Sequence, residues 1–217
     1  MSAQTARMST RQADRSSITE LMTAWGSHRD AGRWDRLESL FAPEATLELT
    51  WVQATASDFV AAARRHATGA LRSKHVISNP YVTVAGDRAI AETNAMLVTD
   101  QPDLDLGAIT HIRYLDRLVR IDGRWAIAHR VSIYDSCGLT FPYGPVDVDR
   151  AVIRRFPREY AGLAYLLQLS GYEPSDRSPT RGSAREAELQ ERDSAWLGWC
   201  WGRPGDGILV RNSPAAH

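Results

Sequence analysis

Two cysteines, Cys137 and Cys200, are all that this 217-residue chain contains. Neither sits in a CxxC spacing, and two are too few for a disulfide framework or a four-thiolate zinc site, so free thiols are expected. An excess of one charge is also lacking, because 26 basic side chains balance 26 acidic ones. Without clustered Lys and Arg to neutralise phosphates, the chain offers no footing for nucleic acid. No apolar run approaches the roughly 18–20 residues needed to span a bilayer. The polar, arginine-bearing start has no apolar stretch of a secretory signal, so no membrane partner and a cytoplasmic location are expected. GxGxxG, GxxxxGK[ST] and GxSxG are missing, which leaves nucleotide cofactors and an acyl-enzyme elbow unsupported. HxH and HExxH are missing too, and neither a metal nor a cofactor is expected.

What remains has the balance of a globular protein, with 43% hydrophobic and 24% charged residues. The length suits one domain with an extension. Residues 1–10 read as a flexible start, 11–135 as the domain and 136–217 as the extension. Ile18, Leu21, Met22 and Trp25 fall at helical spacing and predict a helix over about 10–29, stopped near Gly32. Trp34, Leu37, Leu40 and Phe41 predict a second short helix, ended by Pro43. Residues 46–52 alternate as a half-buried strand. Ser57-Asp58 reads as the N-cap of a third helix over 59–68.

From Lys74 the period changes to two. Strands are predicted over 74–85, 88–98, 108–121 and 124–134, with turns at Gly86-Asp87 and Asp122-Gly123. Helices followed by an antiparallel meander predict an α+β fold, its helices packed on one face of a curved antiparallel sheet. In the extension a helix over 158–170 closes at Gly171. A Pro- and Ser-rich linker covers 172–183, a second helix spans 184–199, and the Gly/Pro-rich end reads as loose.

Asp30 lies in Ser27-His28-Arg29-Asp30-Ala31-Gly32-Arg33-Trp34-Asp35-Arg36-Leu37, and His75 follows 45 positions later in Lys74-His75-Val76-Ile77-Ser78-Asn79. With Leu40-Phe41-Ala42-Pro43-Glu44-Ala45, Tyr114-Leu115-Asp116-Arg117-Leu118 and Asp122-Gly123-Arg124-Trp125-Ala126-Ile127-Ala128-His129-Arg130, these motifs resemble the SnoaL-like branch of the nuclear-transport-factor-2-like superfamily over about residues 10–135. The resemblance implies a cone, in which a curved sheet and the N-terminal helices enclose a deep apolar pocket. It also implies a catalytic pair, because dehydratases and a dehydrochlorinase of that group carry an Asp late in the first helix and a His on a following strand. Asp30 and His75 match those positions, and Trp25 matches a pocket tryptophan. The chain departs from the scytalone dehydratase pattern at Thr99, near where that type has a second pocket histidine.

A carboxylate that orients an imidazole and steadies its charged form is a compact acid–base device. The expected function is therefore that of a cofactor-independent lyase or dehydratase taking a carbon-bound proton from an apolar cyclic small molecule. An isomerase or polyketide-type cyclase is the alternative with the same dyad, and a non-catalytic binding or assembly module the alternative without it. His129 and Arg130 must face opposite sides of the last strand. Trp125, Ile127, His129 and Val131 share an apolar face, which predicts His129 in the pocket. Arg130 is a substrate-binding candidate whose structural alternative is a pair with Asp116 across the hairpin. Tyr114 and His111 are further pocket candidates, and His28-Arg29 reads as surface. Leu, Val and Ile alternating along all four strands predict a homodimer or homotrimer packed through the outer sheet face. The apolar residues Tyr160, Leu163, Ala164, Leu166, Leu167, Trp196, Leu197, Trp199 and Trp201 predict that the extension covers the pocket mouth or a neighbouring subunit.

Overall fold

The stripe of Ile18, Met22 and Trp25 dictates the first element. All three side chains are buried along α1 (Ala3–Asp30). The computed structural model describes residues 3–200 and 210–211. α1 begins at Ala3, so the expected flexible start is helical from that residue on. After α2 (Trp34–Glu38) the chain passes directly into β1 (Phe41–Leu49), and Phe41 and Pro43 belong to a strand instead of a helix. Pro43 is tolerated because β1 is irregular there: its register with the last long strand shifts between Phe41 and Thr46, and Glu44 adopts φ 59°.

β2 (Val52–Thr55) turns back on β1 and feeds α3 (Ala56–His66). The cap of α3 is Thr55, whose Oγ1 accepts the Asp58 N–H at 3.2 Å, two positions before the expected start. The strand expected over 74–85 is two strands, β3 (Arg72–Ile77) and β4 (Tyr81–Ala85), on either side of Pro80. β5 (Arg88–Gln101), a single 3₁₀ turn (Pro102–Leu104), β6 (Leu106–Ile121) and β7 (Arg124–Thr140) complete the main sheet. Its order is β2-β1-β7-β6-β5-β3, with β4 also on β5. The pairings among β3 to β7 are all antiparallel, as expected, and β1 joins β7 in parallel.

Two register shifts decide what faces the interior. Arg117 pairs with His129 while Leu118 pairs with Ile127, so Ala128 has no partner; His111 pairs with Ser136 and Ile112 with Tyr134, so Asp135 has none. Each extra residue exchanges the faces of β7 beyond it. β6 keeps Leu118, Asp116, Tyr114 and Ile112 buried on one side. Opposite them β7 presents Ile127, then Arg130 and Tyr134 after the first bulge.

α4 (Arg150–Ile153), α5 (Ala161–Leu169) and α6 (Ala184–Trp196) form the extension, with a two-stranded piece of β8 (Trp199–Cys200) and β9 (Val210–Arg211). The side chains of Trp199 and Cys200, the residue Trp201 and most of the Gly/Pro-rich end lie outside the described residues. α5 approaches β7 closely: a Cβ on Gly162 would stand 3.0 Å from Cys137 Sγ and 3.1 Å from Leu139. The linker before α6 is fixed to Tyr134, whose N–H donates to Pro179 at 3.0 Å and whose carbonyl accepts from Arg181 at 2.9 Å.

α6 lies on the outer sheet face. Leu189 packs among Leu115, Val131 and Ile133, and ion pairs Arg117–Asp193 (2.6 Å) and Arg113–Glu186 (2.7 Å) flank it. The face expected to meet a second copy is therefore covered at this point by the chain itself. No helix among the described residues is long and apolar enough to cross a membrane.

Candidate functional site

Asp30 is the last residue of α1, and its carboxylate turns inward onto β3 instead of into solvent. Oδ2 accepts the backbone N–H of His75 at 2.8 Å, and Oδ1 lies 2.6 Å from His75 Nδ1. Such close approach of helix and strand depends on Gly26, one turn earlier, where a Cβ would fall 2.8 Å from Ile77 Cγ1 and 3.7 Å from His75 Cβ. Both dyad side chains are below a tenth exposed, at 7% and 8%. Lys74, the chain's single lysine, adds a solvent-side contact to Oδ2 at 3.3 Å.

These contacts fix the protonation states. Burial alone would raise the Asp30 carboxyl, but hydrogen bonds from the His75 ring and backbone, with Lys74, bring it below its ordinary value. Burial drives His75 below its ordinary 6.5, with Asp30 opposing and the cations Arg29 and Arg130 adding to the fall. At neutral pH the pair is thus a carboxylate beside a neutral imidazole. A carboxylate only accepts, so the ring proton sits on Nδ1 and the lone pair on Nε2. Among the described residues Nε2 has no hydrogen-bond partner.

His75 borders a cavity of about 560 Å³ that Trp25, Leu97, Ile112 and Tyr114 also line. That volume suits a molecule of a few rings. Trp25 meets the His75 ring edge-on at 5.2 Å and Tyr114 at the same separation. Trp25 and Tyr114, both expected in the pocket, are thus placed on the cavity wall. Thr99 lines the cavity as well, but its hydroxyl donates to the Ala108 carbonyl at 3.2 Å and has no proton left for a ligand.

Two other expected pocket residues are elsewhere. The extra residue Ala128 turns His129 to the outer face, where Nδ1 contacts Thr46 Oγ1 at 2.7 Å and Glu48 approaches Nε2 at 3.8 Å. The same bulge turns Arg130 inward, yet it does not reach the cavity surface. It makes a two-point pair with Asp116 at 2.7 and 2.9 Å. Its guanidinium is held 4.2 Å from the centroids of both Trp25 and Tyr114. Arg130 therefore supports the floor on which those two rings lie. His111, the lesser candidate, is exposed. Among the described residues no group of three or more His, Cys, Asp or Glu is arranged to hold a metal ion.

Sequence reasoning missed Arg29, which lines the cavity although it was read as surface. The signal was present: Ile18, Met22, Trp25 and Arg29 continue one helical stripe. It also left open which surface the extension covers. Leu163 and Leu167 of α5 and Tyr172 wall the cavity of their own chain. Tyr172 stacks on His66 with centroids 3.8 Å apart, and Trp51 meets both rings edge-on.

The model of the SnoaL-like domain matches residues 10–131, which run from α1 into β7. The chain belongs to that family, the SnoaL-like branch of the nuclear-transport-factor-2-like superfamily. It is similar to the Pea pathogenicity protein 2 of Fusarium vanettenii, with 27% identity over 162 residues covering 70% of this chain and 68% of the other. Among solved structures it resembles a candidate scytalone dehydratase of Novosphingobium aromaticivorans (TM-score 0.54, 18% identity, 64% of this chain and 99% of that one). It also resembles a hexachlorocyclohexane dehydrochlorinase (TM-score 0.53, 15% identity, 65% of this chain and 97% of that one).

Proposed function

We propose that this protein is a cofactor-independent lyase of the dehydratase type, acting on an apolar cyclic small molecule with His75 as base and Asp30 as its orienting partner. The observation that carries the reading is the two-point hold of Asp30 on His75 at the wall of a cavity of about 560 Å³. Nε2 takes a proton from carbon, and the carbanionic pair expels a leaving group on the neighbouring carbon. The imidazolium, steadied by Asp30, can return its proton to the departing oxygen. Trp25, Leu97 and Ile112 supply apolar surface beside the reacting carbon.

A binding module without catalysis would not need a carboxylate aimed inward at a histidine, nor a base kept neutral by burial. The fold neighbours named above are described as a dehydratase and a dehydrochlorinase, both eliminations. At identities of 18% and 15% the likeness carries only the fold, so the chemistry rests on the dyad. Incubation with a panel of cyclic ketones in deuterium oxide tests it. Mass spectrometry is expected to show deuterium entering next to the carbonyl with wild-type protein and not with His75→Ala. Equal incorporation by both proteins refutes the proposal.

A further inference from the structure

Arg29 is a half-buried guanidinium on the cavity wall with no hydrogen bond or ion pair among the described residues; its recorded contact is the Trp34 ring at 5.6 Å. A cation withdrawn from water without a partner is costly, and a functional reason for it is a partner that arrives with the ligand. The charges around the cavity indicate the sign of that partner. Of the described lining residues, Asp30 is the single carboxylate, and it is already engaged by His75 and Lys74. Arg29 and Arg72 line the same cavity. The other ionisable groups facing Arg29 are Tyr172, Tyr114 and His66, none of which is anionic near neutrality. Arg29 is also near enough to depress the His75 pKa.

We propose that Arg29 is the electrophilic partner of the dyad: it binds the carbonyl oxygen of a cyclic ketone and holds the negative charge when His75 removes the adjacent proton. This rests on the elimination reading and deepens it, supplying the polarising group that Thr99 does not. The C–H bond breaks and its proton passes to Nε2. The electron pair forms a C=C bond, and the carbonyl oxygen becomes an enolate paired with the guanidinium. On collapse, the bond to a β-hydroxyl breaks and the leaving oxygen takes the proton from the imidazolium. The products are an enone and water, with no change of oxidation state and no further reagent. A guanidinium suits the task because it stays charged and can offer two parallel donors.

The test uses 4-nitrophenol, a planar phenol whose absorbance separates the ionised from the neutral form and which mimics an enolate. Bound to wild-type protein it is expected to ionise at a pH about one unit or more below that of the free compound. Arg29→Met is expected to abolish the shift and weaken phenolate binding by about tenfold or more, whereas Arg29→Lys keeps part of both. An unshifted bound phenol in the wild type, no phenolate binding at millimolar concentration, or an undiminished shift in Arg29→Met overturns the proposal. The wild-type measurement decides even if the methionine variant does not fold. The phenolate needs no proton abstraction, so the shift is expected to survive in His75→Ala. Failure of the dyad and failure of Arg29 are thereby read separately.

Discussion

Asp30 holds His75 at two points, the ring nitrogen at 2.6 Å and the backbone N–H at 2.8 Å, so one carboxylate sets both the position of the strand and the tautomer of its imidazole. Removing either partner is expected to stop catalysis for different reasons. His75→Ala removes the proposed base, and turnover of a ketone substrate is expected to fall by about 10² to 10⁴. Asp30→Asn keeps the shape, but the amide no longer stabilises the imidazolium. The double variant is expected to be little worse than the worse single one, because the two act as a unit. Multiplicative losses in the double variant would mean independent roles.

The pH dependence follows from burial. His75 titrates below 6.5 in the folded protein, so between that value and 6.5 the unfolded chain binds the extra proton. Its contribution to stability is complete above pH 6.5 and is lost as pH falls through the window. His28, His66 and His129 are lowered by burial in the same sense, while the raised carboxyls of Asp116 and Asp193 slope the other way. Urea melts between pH 5 and 7.5 are expected to show a shallower acid loss in His75→Gln than in the wild type. The acid limb of kcat/KM is expected below pH 6.5, since the base acts in its neutral form. A limb above 6.5 assigns the base to another group.

Gly26 carries a prediction opposite to helix propensity. An exposed helical Gly→Ala change stabilises by up to about 1 kcal/mol. Here the new methyl would press on Ile77 Cγ1 at 2.8 Å, which is not the free end of that side chain. Gly26→Ala is expected to lower the melting temperature and to impair turnover by separating Asp30 from His75. A stabilised, fully active variant would show that α1 and β3 have slack.

Arg130→Met leaves Asp116, which is 0% exposed, without its partner. The cost is expected to be about 3–5 kcal/mol in denaturant unfolding, and exchanging both for Met and Leu is expected to recover much of it. A single variant with wild-type stability would show that Asp116 is neutral in the native fold.

The extension is tested by truncation after Thr140. Loss of Leu163 and Leu167 opens the cavity wall, so dye binding to exposed apolar surface is expected to rise and solubility to fall. Unchanged dye binding and melting temperature would make α5 a mere appendage.

The dyad was legible because a helix end and a β-strand each carry a local motif, and the helix stripe was legible from its spacing. The orientation of His129 and Arg130 was not. Alternation predicts faces only while pairing is regular, and Ala128 and Asp135 bear none of the glycine signals that mark many bulges. Pro43 was read as a helix stop because its strand tolerates it only through the distortion at Glu44, which is a property of the pairing with β7. The role of the outer sheet face was likewise set by α6, more than forty residues after β7 in the sequence.

The two extra residues of β7 work as phase shifters in a repeating pattern. Ahead of the first, the strand builds packing with Ile127; between them it supplies the cavity with Ser132 and Tyr134; after the second it receives α5 through Cys137 and Leu139. Each stretch thus has its own parity and its own job. Substitutions that retune the ligand wall can accumulate in the middle stretch without reaching the framework on either side. Regular pairing of Ala128 with Arg117, by contrast, would turn that wall inside out, exchanging Arg130 and Ser132 for His129 and Val131 at a stroke.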